Sequence, residues 1–283
     1  MRVIQASAIG RAVEALCLEV STELPRDVIQ ALESFREAEK SEPARQVIDL
    51  ILENGRVARE AGVPLCQDTG VFTVYITLGR DTAIEGDLQA EASAALARAT
   101  ARGSLRASVV DEPMDERRNT KDNTPALLEL ELSDGDDLTP TTIGVLAKGG
   151  GSEMASRAAM LAPGAGWEGV LDFVMDVVSD LGARSCPPLV LGVGVGGAFD
   201  SVAVMAKRAL LEPLDRVSAD PKTAAREAEL VAAVNGLGIG PGAVGGTTTC
   251  IGAKIATAPC HMASLPVALS VNCHSLRRKV TEI

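Results

Sequence analysis

Three cysteines stand far apart in the chain, each inside a turn of glycine, proline or polar residues: Cys66 in PLCQDTG, Cys186 in RSCPPL and Cys273 in SVNCHS. Each lies at the edge of an apolar run, where a strand or helix ends and a side chain can point into a cleft. The residues directly after Cys66 and Cys186 are polar or proline and stop the backbone from continuing regularly. Such positions suit thiolate ligands of one metal centre better than packing. Zinc ribbons and ferredoxin runs bring their ligands in close pairs, so a centre built on these three has to be assembled by the fold, with the thiols converging on one cavity. Spacing alone leaves the bland reading, three unrelated thiols, open.

At 283 residues, 46% of them hydrophobic and 23% charged, the chain can bury the core of one large domain or two modest ones. No apolar stretch reaches the roughly 18 uncharged residues of a membrane span, and MRVIQASAIGRAVEAL reads as an amphipathic helix without a signal-peptide cleavage site. The expectation is a cytoplasmic protein with no membrane contact. In a reducing compartment six cysteines are buried, catalytic or metal-bound rather than a disulfide scaffold. A net charge of −11 argues against a nucleic-acid partner, and an anionic small substrate would need local cations.

Apolar spacing predicts helices over 4–20, 25–39 and 43–61, so 1–62 reads as an N-terminal helical region ahead of 63–283. Cys17 falls on the apolar side of the first helix, as a core residue. VFTVYITLG after Cys66 reads as a strand, followed by a helix over 88–102. The segment 103–126 is too long for a simple connection, and long loops in compact domains are usually functional or mobile. Strands are expected at 126–132 and 141–147, with the acidic SDGDD at 133–137 as a solvated hairpin turn. A helix over 167–181, a strand over 189–195 and a helix over 200–211 follow; the last third alternates glycine-rich turns with short apolar runs.

Glycine clusters at 149–151, 192–197 and 236–246. Glycine tolerates positive φ and lets amides approach an anion, so three such turns can build a carboxylate or phosphate pocket, or simply be tight turns in a crowded core. Gly192, Gly194 and Gly197 match GxGxxG literally, after a strand and before a helix. That makes a dinucleotide-binding oxidoreductase an alternative, although no second half of such a fold follows.

PLCQDTG, NTKDNTPA, KGGGSE, CPPLVLGVGVGG, GGTTTCIGAKIATAPCHMASLPVALSVNC and the closing RR occur in this order from Leu65 to Arg278. Together they resemble the alpha subunit of the class I, iron-sulfur-dependent fumarase and L(+)-tartrate dehydratase family. The resemblance implies an α+β fold with helices packed around a β-sheet, and a 4Fe-4S cluster held by Cys66, Cys186 and Cys273. An iron without a protein ligand can act as a Lewis acid toward a hydroxyl, which a fully ligated cluster cannot. By the same resemblance Asp68 and His261 are catalytic candidates, and Gln67, Arg106 and Gly150 bind the small dicarboxylate substrate. Arg106 would clamp a carboxylate with two hydrogen bonds. Cys250 and Cys260 match no ligand position and read as core or near-site thiols.

The residues also carry plainer readings: Asp68 as a turn cap, Arg106 as a solvated charge, His261 as a structural histidine. Lys148 either contacts an anion or ends a strand. Arg277 lies near the cluster or is a surface charge, and His274 matches no site position. The resemblance further implies a hydro-lyase that hydrates fumarate to malate, with L(+)-tartrate dehydratase or mesaconate hydratase as alternatives. In single-chain members a second domain follows. Here the sequence ends soon after Cys273, so the site is expected to be completed by a separate beta subunit, as in a heterotetramer. A non-catalytic assembly subunit is the remaining alternative.

Overall fold

The computed structural model describes residues 2–133 and 140–283. In chain order the elements are β1 (Arg2–Gln5), α1 (Ala6–Thr22), α2 (Arg26–Ala38), α3 (Glu42–Ala61), β2 (Val71–Leu78), β3 (Thr82–Glu85), α4 (Leu88–Arg102), β4 (Leu127–Leu132), β5 (Thr142–Lys148) and α5 (Gly150–Met154). They continue with β6 (Arg157–Leu161), α6 (Gly166–Leu181), β7 (Leu189–Gly197), α7 (Phe199–Ala209), α8 (Pro221–Asn235), β8 (Cys250–Cys260), β9 (Leu265–Asn272) and β10 (Arg277–Glu282). The fold is α+β, as expected, but among the described residues the strands form two four-stranded sheets and a two-stranded one, β1-β3, rather than a single sheet. Among the described residues no helix is long and apolar enough to cross a membrane.

The chain divides into two compact units: Met1–Pro25, Gly55–Gly150 and Arg277–Ile283 form the first, Arg26–Asn54 and Gly151–Leu276 the second. The first is built on a sheet of order β10-β5-β2-β4. Alternation in β2 puts Phe72, Val74 and Ile76 on one face, in register with Ala147, Val145 and Ile143 of β5. That face buries α1, through Ile9, Val13, Leu16, Cys17 and Val20, and α4, through Ala92, Ala95, Leu96 and Ala99. Asp87 caps α4 by accepting from Ala90 N–H at 2.9 Å. The turn expected at 133–137 lies, beyond Ser133, outside the described residues. Its flanking strands are not a hairpin, because β2 separates β4 from β5.

In the second unit the order is β6-β9-β7-β8, with β7 parallel to β8 and antiparallel to β9. β7 is covered on both faces. Leu189, Leu191 and Val193 pack into a core with Val170 and Val174 of α6 and Leu230 and Val234 of α8. The opposite face carries Gly192 and Gly194, on which α7 lies so closely that a Cβ at Gly192 would sit 2.1 Å from the Ala206 carbonyl oxygen, and one at Gly194 2.4 Å from that of Val202. The GxGxxG match is therefore contradicted as a nucleotide turn: its glycines lie within one continuous strand and serve helix packing, not the strand-to-helix turn that cradles a pyrophosphate.

The third glycine cluster also has an internal explanation. Glu39, buried beyond the end of α2, accepts from Lys40 N–H at 2.8 Å, Ser41 N–H at 3.0 Å and Thr247 N–H at 2.9 Å. Burial by itself would raise its pKa, but the amides of Ser41 and Thr247 and the Thr248 and Thr247 hydroxyls outweigh it and hold the carboxyl at about 2. A Cβ on Gly246, at φ +126, would meet this carboxylate at 3.1 Å. The nest is filled by the protein's own anion. Glu39→Gln should therefore destabilise the chain at neutral pH by about 1.5–3 kcal/mol, the scale of hydrogen bonds to a charged group. Because the folded pKa lies below the ordinary value of 4.5, this stabilisation is complete above that pH and is lost as pH falls toward 2. Urea midpoints of wild type and Gln variant should converge over that interval; a constant gap would refute the assignment.

Candidate functional site

In the first unit the turn after Leu65 is built around Asp68. Its Oδ1 accepts from Gly70 N–H at 2.9 Å and its Oδ2 from Gly150 N–H at 2.7 Å, with the Ser108 hydroxyl at 3.5 Å. The turn is packed against the end of β5: a Cβ on Gly70, at φ +75, would stand 2.2 Å from the Lys148 carbonyl oxygen. Arg277, at 3% exposure, donates through Nη1 to the Asp68 carbonyl oxygen at 2.9 Å, so it is a buried strut of this turn and not a surface charge. Lys148 ends β5 fully buried. Asp68 N–H donates to Cys66 Sγ at 3.4 Å. Gln67 is exposed, with Oε1 3.3 Å from the same sulfur.

Arg106 opens the long segment. Buried Asn123, at φ 64, donates through Nδ2 to the Arg106 carbonyl at 3.1 Å and to Thr100 Oγ1 at 3.2 Å, and its Oδ1 accepts from Ser108 N–H at 2.6 Å. Further along, Val110 bridges Asn119, and Glu112 accepts from the amides of Met114, Asp115 and Glu116. The segment is thus tied down at several points. The Arg106 guanidinium is exposed and makes no ion pair among the described residues, which leaves its fork open to an anion.

In the second unit Cys186 precedes β7 and Cys273 follows β9. Because Val190 pairs with Asn272, the two turns lie side by side at one end of the sheet. The Cys186 carbonyl accepts from His274 Nδ1–H at 3.0 Å and from His274 N–H at 3.4 Å. Burial holds the imidazole below its ordinary pKa, against the opposing effect of the bond to Cys186. Cys273 N–H donates to Ser152 Oγ of α5 at 3.2 Å, and Asn272 Nδ2 to the Cys273 carbonyl at 2.8 Å.

His261 lies in the turn between β8 and β9. Its Nδ1 accepts from Ala263 N–H at 3.1 Å, so in the neutral ring the proton sits on Nε2, which is free to donate outward. Since Gly197 pairs with Cys260, His261 stands at the far end of β7 from Cys186, roughly 25 Å away at about 3.3 Å per strand residue. The structure brings Cys186 and Cys273 together and separates both from His261.

The six thiols differ in chemistry, and none is in a disulfide. Cys17 and Cys250 are buried; desolvation pushes the Cys17 thiol far up and that of Cys250 up to about 12, so neither is a thiolate at neutral pH. Cys66 and Cys273 are partly exposed and Cys186 exposed, each in a polar turn, while Cys260, also exposed, ends β8. Among the described residues no three His, Cys, Asp or Glu side chains are grouped closely enough to hold a single metal ion. A four-iron cluster spreads its thiolates over separate irons and needs no such grouping. Three accessible soft donors fit it by their chemistry.

A sequence model of the family described as fumarate hydratase (Fumerase) matches residues 10–282. The chain belongs to that fumarate hydratase family. Among relatives, a Methanocaldococcus jannaschii chain that carries L(+)-tartrate dehydratase subunit alpha as a provisional name is 36% identical over 277 residues, covering 97% of both chains. The L(+)-tartrate dehydratase subunit alpha of Escherichia coli strain UTI89 is 32% identical over 261 residues, 92% of this chain and 85% of that one. The strain K12 protein of the same name is 31% identical over the same span. The expected family and its hydro-lyase class are thereby established, and the relatives' names stand nearer the tartrate alternative than fumarate.

Two supporting residues of this fumarate hydratase family chain were not legible beforehand. Asn123 fixes the Arg106 backbone, and its signal was only its place in NTKDNTPA. Ser152 fixes Cys273, and KGGGSE read as a glycine turn although it opens a helix, α5.

Proposed function

We propose that this chain is the alpha subunit of an iron-sulfur hydro-lyase of the L(+)-tartrate dehydratase type, with Cys66, Cys186 and Cys273 as the three thiolate ligands of a 4Fe-4S cluster. The observation that supports it most is the combination of access and placement: Cys17 and Cys250 are buried, Cys260 is exposed but at the far end of β7, and the accessible Cys186 and Cys273 lie side by side. When bound, such a cluster supplies a Lewis-acidic iron for a substrate hydroxyl. Around it the chain's own groups bind and orient. Arg106 offers a fork for one carboxylate and Gln67 an exposed amide. Asp68 is placed by resemblance as a proton-handling group, and here its carboxylate is engaged by the Gly70 and Gly150 amides, so it organises the turn as well. The Gly150 amide, expected to meet substrate, is spent on Asp68. His261 shares a site with Cys186 and Cys273 only if another copy of the chain supplies it. The relatives' names support a beta subunit as partner, and the absence of a spanning helix among the described residues is compatible with a cytoplasmic enzyme.

The test is anaerobic reconstitution with iron and sulfide, with and without the beta partner, followed by assay on L(+)-tartrate, fumarate and mesaconate. Turnover is expected only with the partner and fastest on L(+)-tartrate. A preference for fumarate would restore the hydratase reading, and full activity of the chain alone would overturn the subunit reading. In the same assay Arg106→Lys keeps the charge but loses the fork, and should lower kcat/KM by about 1.5–3 kcal/mol. An unchanged value would remove Arg106 from the site.

A further inference from the structure

We infer that His274 is a positioning residue for the Cys186–Cys273 pair: its ring and its own amide together hold the Cys186 carbonyl and so set the direction in which the Cys186 thiol is presented. The inference rests on the proposed ligand role of these two cysteines, but its geometry is independent of it.

Cys186 adopts φ 52 and ψ 66, in the left-handed region that few residues other than glycine, asparagine and aspartate enter. Glycine would take this conformation cheaply but carries no thiol, so a cysteine here has to be held by its surroundings. The next two residues are Pro187 and Pro188, which have no N–H with which to brace the turn from within. The brace comes from 88 residues away in sequence, as two donors from one residue converging on one oxygen. A carbonyl can only accept, so the contact also assigns the Nδ1–H tautomer. His274 sits on a segment that is anchored already: Ser152 holds the Cys273 amide on one side and Asn272 holds the Cys273 carbonyl on the other. Rotation of the Cys186 peptide would break both His274 bonds and swing Sγ away from the direction it now has. The ring therefore links the two thiol-bearing turns through their backbones, and it does so without touching substrate.

Full-length His274→Ala, His274→Asn and His274→Gln chains provide the test. In reduced, metal-free protein, amide hydrogen exchange over residues 182–189 and 271–276 should quicken tenfold or more in the Ala variant. It should be restored in Asn, whose amide nitrogen can take the Nδ1 position, and not in Gln. After reconstitution with the partner subunit, the Ala and Gln variants should show altered g-values of the reduced cluster and several-fold faster iron loss to a chelator, again restored by Asn. Wild-type exchange in the Ala variant, or Asn and Gln variants that behave alike, would overturn the inference. A wild-type chain that takes up no iron would count against the ligand reading alone, since the metal-free measurement still decides the role of His274. If the Ala variant fails to fold, the contrast between Asn and Gln carries the same decision.

Discussion

Serine in place of Cys66, Cys186 or Cys273 is expected to abolish the iron-sulfur absorbance of the anaerobically reconstituted protein, while Cys250→Ser and Cys260→Ser leave it in place. The reason lies in where each sulfur sits. Cys250 is buried at the start of β8 with its thiol pushed up to about 12, and Cys260 ends that strand, exposed, at the far end of the sheet from Cys186 and Cys273. A serine hydroxyl is a poor donor to iron beside a thiolate. Loss of the Lewis acid removes several kcal/mol of transition-state stabilisation, so turnover with the beta partner should fall about a thousandfold or more in each of the three variants. The measurement is the visible and EPR spectrum with iron content, followed by turnover. A cluster that survives Cys273→Ser but is lost in Cys250→Ser or Cys260→Ser would show the ligand set to be wrong.

The largest effect on stability is expected at β7. A methyl group at Gly192 would lie 2.1 Å from a backbone oxygen of α7, and one at Gly194 2.4 Å from another, distances at which the helix itself has to move. Gly192→Ala should cost about 3 kcal/mol or more, since overpacking against backbone cannot be relieved by a rotamer change. Gly164→Ala, where nothing stands within 4 Å, should change stability by less than about 0.5 kcal/mol. Denaturant midpoints of the wild type and the two variants decide it. If Gly192→Ala matched Gly164→Ala, α7 would not pack on β7 as closely as the structure has it.

The same strand shows how much was legible beforehand. LVLGVGVGG alternates with period two, and that period already describes a strand with a large-residue face and an empty one. Read as a spaced glycine motif, the identical letters suggested a phosphate turn, because spacing says nothing about whether the backbone turns. Only the packing of α7 resolves the two. The helices α1, α4 and α6 were legible from apolar spacing, whereas α8 was missed: of its fifteen residues only Leu230 and Val234 are buried, and its clearest signal is the Asp220 cap ahead of Pro221. The last third read as short runs because glycine and proline punctuate it, yet β8 and β9 continue through them. For the site, Cys66, Cys186 and Cys273 stood out by their turns. Arg277 did not, since a charged residue in a strand gives no sign that its guanidinium is buried against the Asp68 carbonyl. The separation of His261 from the cysteines was likewise invisible, because Cys260 and Cys273 are close in sequence and a whole strand carries the chain from one end of the sheet to the other.

The first unit takes its outer strand β10 from the end of the described chain, while its neighbour β5 is finished at Lys148. During synthesis at roughly 5–20 residues per second, the partner of β5 arrives on the order of ten seconds after β5 itself. Throughout that interval one edge of the sheet is unpaired, and Arg277 is not yet present to brace the Asp68 turn. The Cys66 turn is therefore braced only once Arg277 has been made, long after the turn itself, and not in the order of the sequence.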